Sequence, residues 1–266
     1  MHPIAFQIGS FSVHWYGVMM AIAFIAGLWT ASRRGLREGI APEKTLDLGP
    51  WLIVGTILGA RILYVTTYWK EEFANGPISE IFMVQHGGLV FYGGLMGATL
   101  AGIIYVRIKK LPLWKMADII APSIALGYVF GRIGCLLNGC CFGRACSLPW
   151  AITYPAPHET HPFGMPATPV HPTPVYDSLM NLVLYVGLAW LYRRKKFDGQ
   201  VFAAYLMCYA VTRSIAESFR GDYTPVHIHG ALHLTPAQLI GIGTFAVGAG
   251  LFFYLRRPVL SKQSSQ

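Results

Sequence analysis

Apolar residues in this chain run in long blocks rather than alternating with polar ones. Seven blocks stand out, at about 15 to 32, 47 to 68, 88 to 106, 117 to 137, 174 to 192, 200 to 218 and 236 to 255. Each is close to the roughly 17 to 22 residues a helix needs to cross a hydrocarbon core of about 30 Å. The pattern predicts an all-α integral membrane protein, with seven transmembrane helices in a single polytopic domain over residues 1–266. The second block is the least regular, since Arg61 lies inside it and polar residues follow.

Composition agrees with that reading. Of the 266 residues, 54% are hydrophobic and only 12% charged, unlike a soluble domain of this length. The basic residues between blocks then set a direction. Arg33, Arg34, Arg37 and Lys44 follow the first block, and Arg107, Lys109, Lys110 and Lys115 separate the third from the fourth. Arg193, Arg194, Lys195 and Lys196 follow the fifth, and Arg256, Arg257 and Lys262 follow the seventh. With seven crossings these all fall on one side, while the opposite loops hold only Lys70, Arg144 and Arg220. The positive-inside rule predicts an N-terminus outside (periplasmic) and a C-terminus in the cytoplasm. The net charge of +9 is accounted for by loops facing anionic headgroups, so it gives no argument for nucleic acid as a partner. The start, "MHPIAFQIGSFSVHWYG", has no basic region and no small-residue cleavage site, so no removable signal peptide is expected.

Three arginines remain inside the blocks: Arg61, Arg132 and Arg213. A charge there costs a few kcal/mol by insertion scales, about 2.5 to 3.5 at a helix centre. All three are predicted past the midpoint of spans that run outward, at one depth in the outer half of the membrane. Three cations at one depth predict an anion there, most simply the phosphate of a lipid headgroup. On the sixth block Tyr209, Arg213 and Glu217 follow at i, i+4 and i+8 and share a helical face. Glycines 87, 88, 93, 94 and 97 leave one stretch of the third block nearly bare, open to a neighbouring helix or a ligand.

"GRIGCLLNGCCFGRAC", residues 131–146, adds four cysteines to Arg132. Unpaired packing residues, a disulfide among Cys135, Cys140, Cys141 and Cys146, and a metal site all fit the residue type. The spacing is poor for zinc, and no metal site or cofactor is assigned. Cys208, in the sixth block, reads as a small apolar filler. A quinone-linked thiol oxidoreductase would need the Cys-x-x-Cys pair that the chain lacks. A transporter would need polar residues along a path, whereas the arginines are predicted at a single level.

The stretches "HWYG", "HGGLVFYGGLMG", "GRIGCLLNGCCFGR", "HPTPVYD" and "YAVTRSIAESFRGD" together resemble the prolipoprotein diacylglyceryl transferase family, in order and over nearly the whole chain. The Gly-Arg-x-Gly run at 131–134, continuing to Asn138, Gly139 and Gly143, looks like that family's signature. The resemblance implies a bacterial inner (plasma) membrane enzyme that moves the diacylglyceryl group of phosphatidylglycerol to the thiol of the lipobox cysteine in a prolipoprotein signal peptide. A thioether forms and glycerol phosphate leaves, with no cofactor. Phosphatidylglycerol, the prolipoprotein and membrane lipids are the implied partners. Arg132 and Arg213 match the family's two essential arginines, Arg132 as phosphate ligand and Arg213 as stabiliser of the leaving group. The family's histidine base corresponds to Tyr92 here, so His86 and His171 are candidate proton acceptors, with Tyr92 as a relay. Tyr16, Arg61, Gly93, Gly94, Asn138, Gly143, His171, Tyr209 and Glu217 complete the expected substrate site.

Overall fold

A computed structural model describes residues 4–9, 11–74, 76–84, 87–154, 168–221 and 235–263. A short antiparallel hairpin, β1 (Ile4–Ile8) and β2 (Phe11–His14), precedes helix α1 (Trp15–Arg37). Then come α2 (Pro42–Leu46), α3 (Leu48–Thr67), α4 (Phe91–Ile108), α5 (Leu113–Asn138), α6 (Thr173–Tyr192), α7 (Gln200–Phe219) and α8 (Pro236–Gln263). The hairpin is an addition to the all-α expectation. It is too short to register as an apolar block, and its strands pair only with each other among the described residues.

Six helical segments are long and apolar enough to cross a membrane: Trp15–Arg37, Pro42–Thr67, Phe91–Ile108, Leu113–Asn138, Thr173–Tyr192 and Pro236–Arg257. They coincide with six of the seven predicted blocks. The remaining block, 200 to 218, forms α7, which has the length to span. Its apolar content is diluted by Gln200, Thr212, Arg213, Ser214, Glu217 and Ser218, and it is not among the six. Large apolar side chains stay exposed along the helices, Ile25, Ile62, Met96 and Val183 among them, as lipid-facing surfaces require.

The chain divides into two compact units, residues 32–116 and residues 1–31 with 117–266. In the first, α3 and α4 meet through glycines. A methyl group at Gly55 would stand 2.6 Å from the carbonyl oxygen of Gly97, and one at Gly59 would stand 2.8 Å from the Cα of Gly97. Missing side chains therefore set the approach of the two backbones, the small-residue packing available to helices in lipid. Tyr105, fully buried on α4, donates its hydroxyl to the carbonyl of Lys44 at 2.7 Å.

In the second unit a charge inside an apolar helix organises its neighbour. The carboxylate of Asp118 on α5 is fully buried and accepts backbone N–H bonds from Gly199 at 2.9 Å, Val201 at 2.9 Å and Phe202 at 3.0 Å. These donors open α7, where the first turn has no intrahelical acceptors and its dipole favours an anion. Lys195 adds an ion pair at 3.4 Å. Beyond α5 the chain forms a bridged loop layer in which Gly143 pairs with Arg220, and Val170 pairs with Ala145 and Ile152. Phe142, Tyr154 and Val170 give that layer its own small core, with Ile152 packed against it. The layer ties the end of α5 to the start of α6 and the end of α7.

Candidate functional site

Arg132 lies in the last two turns of α5, where the helix must turn a guanidinium inward to avoid lipid. Its Nε meets Oδ2 of Asp177 on α6 at 3.0 Å, with side-chain exposures of 11% and 3%. Its Nη2 donates to the hydroxyl of Tyr128, one turn earlier, at 2.6 Å, and the guanidinium lies 4.9 Å from the centre of that ring. Nη1 has no acceptor among the described residues. Asp177 and Tyr128 thus fix the plane of the fork and leave one edge for another acceptor. Asp177 is within electrostatic reach of Arg213 and Arg220 as well.

Arg213 sits on α7 and meets Oε2 of Glu217, one turn on, at 2.5 Å. Tyr209, one turn before Arg213, packs edge-on against Tyr128 at 5.7 Å and stacks on Tyr205 at 5.7 Å. Three arginines, Arg132, Arg213 and Arg220, therefore face two buried carboxylates, Asp177 and Glu217. Fully ionised, the group carries one net positive charge, the complement of a phosphodiester.

Other predicted residues gather in the same unit. Tyr16 packs over Gly134, whose missing side chain admits its ring, and is within electrostatic reach of Arg132. Gly143 sits where a methyl group would stand 2.5 Å from Cβ of His171 and 2.8 Å from the carbonyl oxygen of Phe219. His171 accepts the N–H of Gly143 at its carbonyl, and its Nδ1 lies 3.2 Å from the Tyr176 hydroxyl. That hydroxyl also receives the indole N–H of Trp150 at 2.8 Å. Asn138 ends α5 and hydrogen-bonds the thiol of Cys140. Hydrogen bonds from Cys135 and Cys140 hold the Cys141 thiol below the ordinary thiol range, and the charges of Arg132 and Arg220 act the same way.

The remaining predicted residues belong to the other unit. Arg61 is buried, and each nitrogen of its guanidinium donates to backbone carbonyls: Ile81 at 2.9 Å from Nε, Gly87 and Gly88 at 2.8 and 3.1 Å from Nη1, and Glu80 at 2.5 Å from Nη2. Left-handed φ values at Gly87 and Gly88 turn consecutive carbonyls toward it. Here the arginine clamps the segment leading into α4. Gly93 and Gly94 are buried where α4 meets α3, and Tyr92 is about half exposed beside Phe91. His86 lies outside the described residues.

Sequence reasoning passed over Asp177, Tyr128 and Arg220. Asp177 had a signal, a carboxylate inside an apolar block, which in lipid demands a partner. Tyr128 could be found only from its i, i+4 relation to Arg132. Arg220 was counted among the loop residues and is brought in by its pairing with Gly143.

Fold and site together define a multi-span helical membrane protein with a buried cluster of arginines and carboxylates. Comparison with known sequences names the family. The pattern that defines prolipoprotein diacylglyceryl transferases matches residues 3–254, and the chain belongs to that family. A phosphatidylglycerol–prolipoprotein diacylglyceryl transferase of Synechococcus elongatus is 34% identical over 252 residues, covering 92% of this chain and 84% of its own length. The transferase of the same name from Chromohalobacter salexigens is 33% identical, covering 96% of this chain and 92% of its own. The one from Bordetella bronchiseptica is 34% identical and covers 96% of each.

Proposed function

We propose that this chain transfers the diacylglyceryl group of phosphatidylglycerol to the lipobox cysteine thiol of prolipoproteins in the bacterial inner membrane, the first step of lipoprotein maturation. The buried Arg132–Asp177 pair, within reach of two further arginines, is the observation that carries the chemistry. The thiolate sulfur attacks the glyceryl carbon that bears the phosphate. A carbon–sulfur bond forms, the carbon–oxygen bond breaks, and glycerol phosphate departs with the electron pair. Negative charge collects on the departing phosphate, so donors already aimed at it lower the barrier without reorganising. Arg132 holds the phosphate with the edge of its fork that Asp177 and Tyr128 leave open. Arg213, held in place by its ion pair with Glu217, takes up the charge that develops on the leaving oxygen.

The thiol proton goes to His171. It shares a compact unit with Arg132, Asp177 and Arg213. Tyr176 and Trp150 orient its ring. Tyr16, Asn138, Gly143, Tyr209 and Glu217 shape the headgroup site around the arginines. Arg61 fixes the segment before α4, and Gly93 and Gly94 set the α3–α4 approach. α7 is the seventh crossing, so the termini lie on opposite sides, and the basic residues between spans favour an N-terminus outside and a C-terminus in the cytoplasm.

The test uses purified protein in liposomes of phosphatidylglycerol labelled in its acyl chains, with a lipobox peptide as acceptor and mass spectrometry as readout. A peptide heavier by one diacylglyceryl group through a thioether supports the reading; no transfer by the folded protein contradicts it. His171→Gln lowers turnover by about 10²-fold, in the range general-base loss costs, while Tyr92→Phe stays near wild type. The reverse ranking would move the proton to α4.

A further inference from the structure

The thiols of residues 135, 140 and 141 are absorbed by none of the chemistry above, and the fold brings them together. Helix α5 ends in a left-handed turn at Gly139, φ +79°. The Cys140 N–H reaches back to the Cys135 carbonyl at 3.0 Å, and the Gly139 N–H to that of Leu136 at 3.2 Å. This pair of bonds is the Schellman closure, and it characteristically puts the side chain after the glycine onto the one five residues earlier in the last turn. Here those side chains are Cys140 and Cys135. Cys141 follows with φ +62°, a left-handed conformation that costs a residue with a Cβ roughly 1 to 2 kcal/mol. Its carbonyl is held by the Thr173 hydroxyl, which keeps the turn in place. As a result the three sulfur atoms lie within 4.8 Å of one another.

We propose that Cys135, Cys140 and Cys141 form a three-thiolate site for a single thiophilic d10 cation of the Zn(II) class. Zinc–sulfur bonds of about 2.3 Å set sulfurs about 3.8 Å apart in tetrahedral coordination. The observed cluster reaches that spacing by contracting at most about 1 Å, a matter of side-chain rotation. The linear spacing that looks poor for zinc is irrelevant, because the helix-terminal turn, not an extended knuckle, supplies the geometry. A second observation is independent of the sulfurs. Tyr154 is 3% exposed, its hydroxyl has no hydrogen-bond partner among the described residues, and it is within electrostatic reach of all three thiols. A water completing the ion's fourth position gives that hydroxyl the partner it lacks. Binding displaces the thiol protons still held by the cluster, and the resulting anionic centre is offset by Arg132 and Arg220, both within electrostatic reach of Cys141. The bound ion links the end of α5 to the bridged loop layer.

Reduced, metal-free full-length protein in detergent is titrated with Cd(II), whose thiolate charge-transfer absorption reports sulfur ligation, and with Zn(II) in competition. One ion binds per chain and the melting temperature rises, as for any ligand selective for the folded state. In the wild type, Zn(II) protects residues 135, 140 and 141 from alkylation and leaves Cys146 and Cys208 reactive, a measurement that needs no variant. Cys141→Ser weakens binding by more than about 100-fold, and Tyr154→Phe by about 10- to 100-fold, the range for loss of an outer-shell partner. A Cys146→Ser, Cys208→Ser double variant binds as the wild type does. Absence of protection at all three thiols overturns the site, as does binding that survives Cys141→Ser or is lost in the double variant. A Cys135–Cys140 disulfide in protein isolated without reductant also overturns it.

Discussion

At the scale of single residues, the site is held by an ion pair that is costly to leave half-made. Arg132 and Asp177 are both largely withdrawn from solvent, and removing one partner of such a pair strands the other charge at about 3 to 5 kcal/mol. Asp177→Ala therefore lowers the melting temperature as well as turnover. Arg132→Lys keeps the charge but not the fork, so it preserves more stability than it does activity. Parallel measurements of melting and transfer rate separate the two effects; a lysine variant with full turnover would show that a point charge suffices. The sequence exposed Arg132 because a cation inside an apolar block is conspicuous. It did not expose the orientation of that cation, which depends on a residue 45 positions away on another helix.

At the scale of elements, period and length made the helices legible. Six predicted blocks overlay helices that qualify as membrane spans, and the seventh overlays α7. Lipid leaves the backbone no alternative to internal hydrogen bonding, so hydropathy alone carries that information. The hairpin at residues 4–14 was not legible, because two strands of four or five residues leave no periodic signal. Nor was the bridged layer after α5, where Gly143, Arg220 and Val170 pair across large sequence separations. The structure also separates arginines that look equivalent in sequence: Arg61 is committed to four backbone carbonyls, whereas Arg132 and Arg213 pair with acidic side chains. Asp118 illustrates a buried charge with a structural task. Replacing it with Ala leaves three N–H groups at the start of α7 unsatisfied and costs at least about 2 kcal/mol. The expected result is a lower melting temperature with a nearly unchanged transfer rate per folded molecule. A variant as stable as the wild type would show that α7 does not depend on this cap.

At the scale of the whole molecule, the proposed topology depends on α7 crossing the membrane despite its polar residues. Reporter fusions after residue 195 and after residue 257 both read cytoplasmic if seven helices cross. A fusion at residue 222 then reads outside; a cytoplasmic reading there would remove α7 from the count and reverse the side assigned to the C-terminus. The central claim is tested most directly by the rate of glycerol phosphate release from phosphatidylglycerol in the presence of a lipobox peptide. Wild type, Arg132→Ala and a variant with Cys135, Cys140, Cys141 and Cys146 all changed to Ser are compared as folded protein in the same liposomes. The account predicts that Arg132→Ala falls by about 10²- to 10³-fold, the usual cost of losing a donor aimed at developing charge, while the cysteine variant stays near wild type. Near-normal release by Arg132→Ala would contradict it.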